Sequence, residues 1–162
     1  MISCEQCKYN LNSEDKMKKI INICSAIFMI ANVLLSLWFY YTTDEIYVPA
    51  HWSFGGNVDR YGQTWLILPL SGISVGVYLL LLYCQKHGIA NLPFAIINKV
   101  KTKPIISHMI AWVTFLITLT FLYVVAAVAQ LVPLHNTIIY LILLVIIAVI
   151  YHFTMQIYKV RK

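Results

Sequence analysis

Four apolar runs govern what this chain can become: Ile20–Tyr41, Trp65–Cys84, Ile105–Leu131 and Thr137–Tyr158, none of which contains Asp, Glu, Lys or Arg. A helix of about 20 apolar residues crosses a hydrocarbon core of about 30 Å, so each run has the length of a membrane span. In lipid the backbone polar groups must bond within their own segment, which selects helix. The expected fold is therefore all-α, an integral membrane four-helix bundle forming one domain over residues 1–162. Composition agrees: 60% of residues are hydrophobic and 11% charged, against about 25% charged in soluble domains. The third run is the longest and is expected to tilt or to project from the bilayer.

Lys and Arg placement sets orientation. Lys8, Lys16, Lys18 and Lys19 precede the first run, Lys86, Lys99, Lys101 and Lys103 lie between the second and third, and Lys159, Arg161 and Lys162 follow the fourth. Only Arg60 falls on the other side. Both termini, the tail 1–19 and the basic loop 85–104 are therefore expected in the cytoplasm, with segment 42–64 outside. A formal net charge of +6 raises nucleic acid as a partner, but the basic residues bracket spans instead of forming a stripe, which excludes it. The first run is too long for a signal peptide and no Ala-x-Ala site follows it, so a retained anchor is expected.

Chemistry concentrates in Tyr47–Gly62, the long polar segment between the first two spans. Pro49 keeps Val48 out of helix, and Gly55-Gly56-Asn57 favours a tight turn. Such a turn brings His51 and Trp52 towards Asp59, Arg60 and Tyr61. His51 and Asp59 can staple the turn, hold a divalent metal with Asp44 or Glu45, or do acid–base work; the staple is preferred. The order Pro49-x-His51-Trp52, then Gly55-Gly56, then Asp59-Arg60-Tyr61-Gly62 resembles the signature of a small bacterial membrane-domain family of unknown function. That domain forms the N-terminal part of SdpI-type immunity and signalling proteins. The resemblance covers roughly residues 20–85. Family members carry a Lys or Arg just after this element, where this chain has Gln63-Thr64. The resemblance implies a bacterial cytoplasmic membrane protein of immunity or signalling type.

Elsewhere the signals are weaker. Cys4 and Cys7 have the spacing of half a zinc site, though two reduced thiols on a tail is the preferred reading. Asn12-Ser13-Glu14-Asp15 reads as a helix start. Gly72 and Gly76 form a GxxxG pair that lets helices approach in lipid, with another span of this chain preferred over a second copy as partner. Pro93 opens a stretch in which Phe94, Ile97 and Val100, beside Lys99, Lys101 and Lys103, suit an interfacial helix. Cys84, His87, His108 and His152 share a depth near the inner face, but separate neutral histidines are preferred to a metal or proton site. There is no HExxH, GxSxG or P-loop, and no cofactor is implied. The expected role is a sensor, immunity or accessory module, in contact with the bilayer, that receives a peptide or another membrane protein at its outer loop. The runner-up is a small membrane enzyme or transporter with a His/Asp or metal site.

Overall fold

The computed structural model describes residues 4–93 and 98–160, with side chains described from Asp15 onward. The side chains of Cys4 and Cys7, and Phe94 and Ile97 of the expected interfacial helix, lie outside the described residues. Chain order is α1 (Cys4–Thr42), β1 (Tyr47–Trp52), β2 (Val58–Gln63), a 3-10 turn (Thr64–Leu66), α2 (Ile67–His87), α3 (Lys99–Val128) and α4 (Asn136–Val160). All four α-helices are long and apolar enough to cross a membrane.

Two helix starts differ from expectation. α1 begins at Cys4 and runs through Asn12 and Ser13. Extending a formed helix adds one bond per residue fixed, so weak formers beside a long apolar helix are carried along. α3 begins at Lys99, capped by the Asn98 side chain, which accepts from the Lys101 N–H at 3.1 Å. Lys99, Val100, Lys101 and Lys103 thus belong to α3 itself.

α1, α2 and α3 pack on one another, and α4 packs on α3. The arrangement is a three-helix core with a fourth helix against it, not a closed four-sided bundle. The α1 seam is Ile21, Ser25, Met29, Asn32, Ser36 and Phe39, all buried, at steps of three and four residues that keep one helix face inward. Small residues on that face let the helices approach, and their polar groups find partners within the helix packing. Ser25 and Ser36 donate to the carbonyls of Ile21 and Asn32, four residues back in their own helix. The fully buried Asn32 donates from Nδ2 to Ser74 Oγ of α2. Nearer the basic end, Gln85 Nε2 donates to Asn22 Oδ1 at 3.2 Å. Phe28 of α1 meets Phe115 of α3 with ring centroids 5.5 Å apart. Ile157 of α4 fills a second cluster with Ile106, Met109 and Ile110 of α3.

The GxxxG expectation is corrected. Ser71 and Ser74 of α2 face inward and are buried, which turns Gly72 and Gly76 outward. A Cβ built on either glycine meets nothing within 4 Å, so neither serves an intrachain helix contact. Gly72→Leu should therefore leave the detergent unfolding midpoint of the monomeric chain close to that of Val145→Leu on α4. A fall of more than about 1 kcal/mol, the scale of a lost close helix contact, would restore the intrachain role.

Candidate functional site

The segment between α1 and α2 folds as an antiparallel hairpin, pairing Tyr47 with Gln63, Val48 with Gly62, Pro49 with Tyr61, His51 with Arg60 and Trp52 with Val58. At its tip the Ser53 N–H donates to Asn57 O and the Gly56 N–H to Ser53 O, both at 2.9 Å. Gly56 takes φ 81°, a region that L side chains avoid. An isolated two-stranded hairpin is marginal in water. This one is seated by Val48, 1% exposed, in a cluster with Phe39, Ile67, Val125, Val128 and Ala129, with Trp52 packed beside it. Gly62 permits the same seating, since a Cβ there would lie 2.5 Å from Leu66 Cδ1 and 2.9 Å from Ala50 Cβ. At the strand ends Thr64 Oγ1 donates to the Glu45 carbonyl.

The register skips Ala50 in β1 and Asp59 in β2. Each is a bulge, and bulges re-aim neighbouring side chains. The result is His51 Nδ1 within 2.6 Å of Asp59 Oδ1, an ion pair when the ring is protonated. Both side chains stay substantially exposed, at 63% and 45%, and exposed pairs contribute about 0.5 kcal/mol. A double-mutant cycle of His51→Ala and Asp59→Ala should give a coupling of about that size, since each substitution removes the same contact. Strict additivity would remove the staple.

Opposite the hairpin stands the α3–α4 turn. α3 ends with Gln130 N–H to Ala127 O and Leu131 N–H to Ala126 O, with Gln130 at φ 57°. That closing position is normally a glycine, and holding a side-chain-bearing residue there costs roughly 1–2 kcal/mol. Tyr123 braces the turn: its hydroxyl accepts from the His135 N–H at 2.8 Å and donates to Pro133 O at 3.0 Å. Asn136 then reaches the hairpin, its Nδ2 donating to Ser53 O at 2.7 Å and Phe54 O at 2.9 Å. Tip and turn are clamped together.

Two clefts flank the clamp. One, of about 600 Å³, runs between the tip and the turn, with Pro49, Trp52, Phe54 and the glycine pair facing Gln130 and Pro133. The other, of about 390 Å³, has His51 and Asp59 opposite Asn136 and Tyr140. Of the residues expected from sequence, Pro49, His51, Trp52, Gly55, Gly56 and Asp59 line one cleft or the other. Arg60 and Tyr61 line neither and stand exposed on β2, and Gly62 serves packing. Among the described residues no three His, Cys, Asp or Glu side chains are placed to hold a metal ion. Asp44 and Glu45 therefore do not complete a site with His51 and Asp59, nor do Cys84, His87, His108 and His152 gather into one. Gln130, Asn136 and Tyr140 enter the site unannounced by sequence reasoning; the one signal was a polar cluster, Gln130 with His135 and Asn136, at the end of an apolar run. The chain matches no protein-family model, no curated protein and no solved structure.

Proposed function

We propose that this chain is a multi-pass protein of a bacterial cytoplasmic membrane, with both termini inside. Its outer hairpin receives an extended peptide or a segment of another membrane protein, in a sensor, immunity or accessory role. The observation that carries this reading is the clamp: a hairpin seated on the helix ends, tied to the α3–α4 turn by Asn136, with a cleft on each side. Phe54 projects at 91% exposed beside Trp52, and rigid aromatics supply contact area at low entropic cost. Gln130 supports it too, because a side chain is kept at a strained position bordering a cleft. The hairpin side carries Asp44, Glu45 and Asp59 against Arg60, so a partner with apolar and basic residues fits its charge. The enzyme reading would need a third group beside His51 and Asp59. The immunity or signalling flavour comes from the resemblance of the Pro49–Gly62 stretch alone.

The test places a photo-crosslinking amino acid at Phe54 in intact cells, with Leu144 on the outer face of α4 as the lipid-facing control. A discrete polypeptide adduct at position 54, reduced by Trp52→Ala and by Gln130→Gly, is expected. Gln130→Gly relieves the positive φ while deleting the cleft side chain, so weakened capture cannot be blamed on a damaged fold. Impermeant thiol labelling should also reach Asn57→Cys and spare Lys101→Cys. Equal adducts at positions 54 and 144, or labelling at the lysine end alone, would overturn the reading.

A further inference from the structure

At the opposite end of the molecule a cavity of about 610 Å³ opens between α1, at Lys18 and Asn22, the last turns of α2 and the first turns of α3. Three lysines line it, one from each helix: Lys18, Lys86 and Lys103. Among the described residues no Asp or Glu lines it, and Asp15, one turn before Lys18, lies 3.0 Å from the Lys18 Nζ. Three ammonium side chains bordering one space, with Asp15 paired to Lys18 alone, leave a net positive charge there, and that favours an anion.

Neutral donors complete the wall. Gln85, 6% exposed, spends its amide on Asn22 Oδ1 at 3.2 Å. Asn22 then has its own Nδ2 to offer, and the Ser107 hydroxyl also borders the space. Lys103 is placed by the backbone. α2 closes on Gly88 at φ 65°, and a Cβ there would lie 2.8 Å from Lys103 Cγ, so the lysine stem rests where only glycine leaves room. Lys103 also borders a neighbouring cavity of about 330 Å³, together with Lys99.

We infer that this cavity is a binding site for a phosphate-bearing anion, seated among Lys18, Lys86 and Lys103. Phosphate oxygens suit the site because ammonium groups act as point-charge partners and the amide and hydroxyl groups donate to the remaining lone pairs. An anionic glycerolipid headgroup is the source that the position favours: the cavity lies where the apolar runs of three helices give way to lysines, and Leu82 and Val100 continue its wall in hydrocarbon character. Basic pockets between membrane helices take such headgroups. Naming lipid as the source rests on the membrane reading; the anion site does not, and neither depends on the hairpin.

Native mass spectrometry of the full chain in a nonionic detergent tests it, with phosphatidylglycerol, phosphatidylcholine or soluble glycerol 3-phosphate added. One phosphatidylglycerol should be retained in preference to phosphatidylcholine. A lysine close to an anionic headgroup strengthens binding about fivefold, so Lys18→Gln, Lys86→Gln and Lys103→Gln, which line the cavity, should together weaken it on the order of 100-fold. The charge-matched set Lys16→Gln, Lys101→Gln and Lys159→Gln, outside the cavity, should weaken it less than about threefold, because charges not in contact with the bound headgroup act on it only through screening solvent. All six are exposed or half-exposed lysines, and unchanged helical circular dichroism would verify folding. Glycerol 3-phosphate binding with the same lysine dependence, without lipid retention, would keep the anion site and make its ligand soluble. Equal losses in the two triple variants, or no binding of either phosphate compound, would overturn the inference.

Discussion

Ile67→Ala should be the most damaging single truncation in the hairpin half of the molecule, lowering stability by about 2–4 kcal/mol. Ile67 is 0% exposed and sits where four elements meet, against Phe39 of α1, Val48 of β1 and Val125 and Val128 of α3. In the membrane setting proposed above, transfer from water is a small part of the cost, since lipid tails are as apolar as isoleucine. The loss is of packing: the cavity left behind can collapse only if the hairpin or a helix end moves, and both are tied elsewhere. Unfolding in detergent, compared with Val145→Ala on the exposed side of α4, measures it. Amide exchange in residues 47–63 should rise in the same variant, because Val48 loses its seat. If the two truncations cost the same, the hairpin is not anchored through this cluster.

The four long apolar helices were legible because length and lack of charge suffice to define them. Which face of each span turns inward was not. In water a helix shows its core face by apolar residues; in lipid both faces are apolar, and the contrast that remains lies among small and polar residues. Ser71 and Ser74 decide the orientation of α2, and Gly72, one position from Ser71, points the other way in consequence. The steps from Ser25 to Asn32 and Ser36 carried the same information for α1, through spacing alone, since none of the three is ionisable. α4 has few such residues and is the least enclosed helix, with Ile157 its one buried position among the described residues.

The hairpin site was legible on one side only. Pro49, the glycine pair and the residues of opposite character around them marked a reversal, and the structure sets His51 and Asp59 together at its side. That the reversal is a strand pair with two bulges needed knowledge of what it packs against. The partner surface, Gln130 to Asn136, lies about 80 residues further along, and no local pattern links Asn136 to Ser53 and Phe54. A short turn with no charge looks like a mere connection until the chain segment opposite is known.

Asn136→Asp should release the hairpin tip while leaving the helices in place. The substitution is nearly isosteric, so packing is unchanged, but both N–H donors to Ser53 O and Phe54 O are replaced by a carboxylate facing two carbonyl oxygens. Two hydrogen bonds contribute about 2 kcal/mol, and the new repulsion adds to their loss. An opposing effect exists, because Asn136 is the first residue of α4 and a negative charge there gains about 0.3–1 kcal/mol from the helix dipole. The hairpin term is the larger, and the two act on different elements. Amide protection should therefore fall across the hairpin tip and hold or rise in the first turn of α4, while Asn136→Ala should show a smaller loss at the tip and no gain in the helix. If capture at Phe54 depends on a clamped tip, the photo-adduct should fall in the order wild type, Asn136→Ala, Asn136→Asp. An unchanged adduct in Asn136→Asp, with the tip shown by exchange to be released, would mean that the partner grips the hairpin alone and that the clefts on either side of the clamp are not its seat.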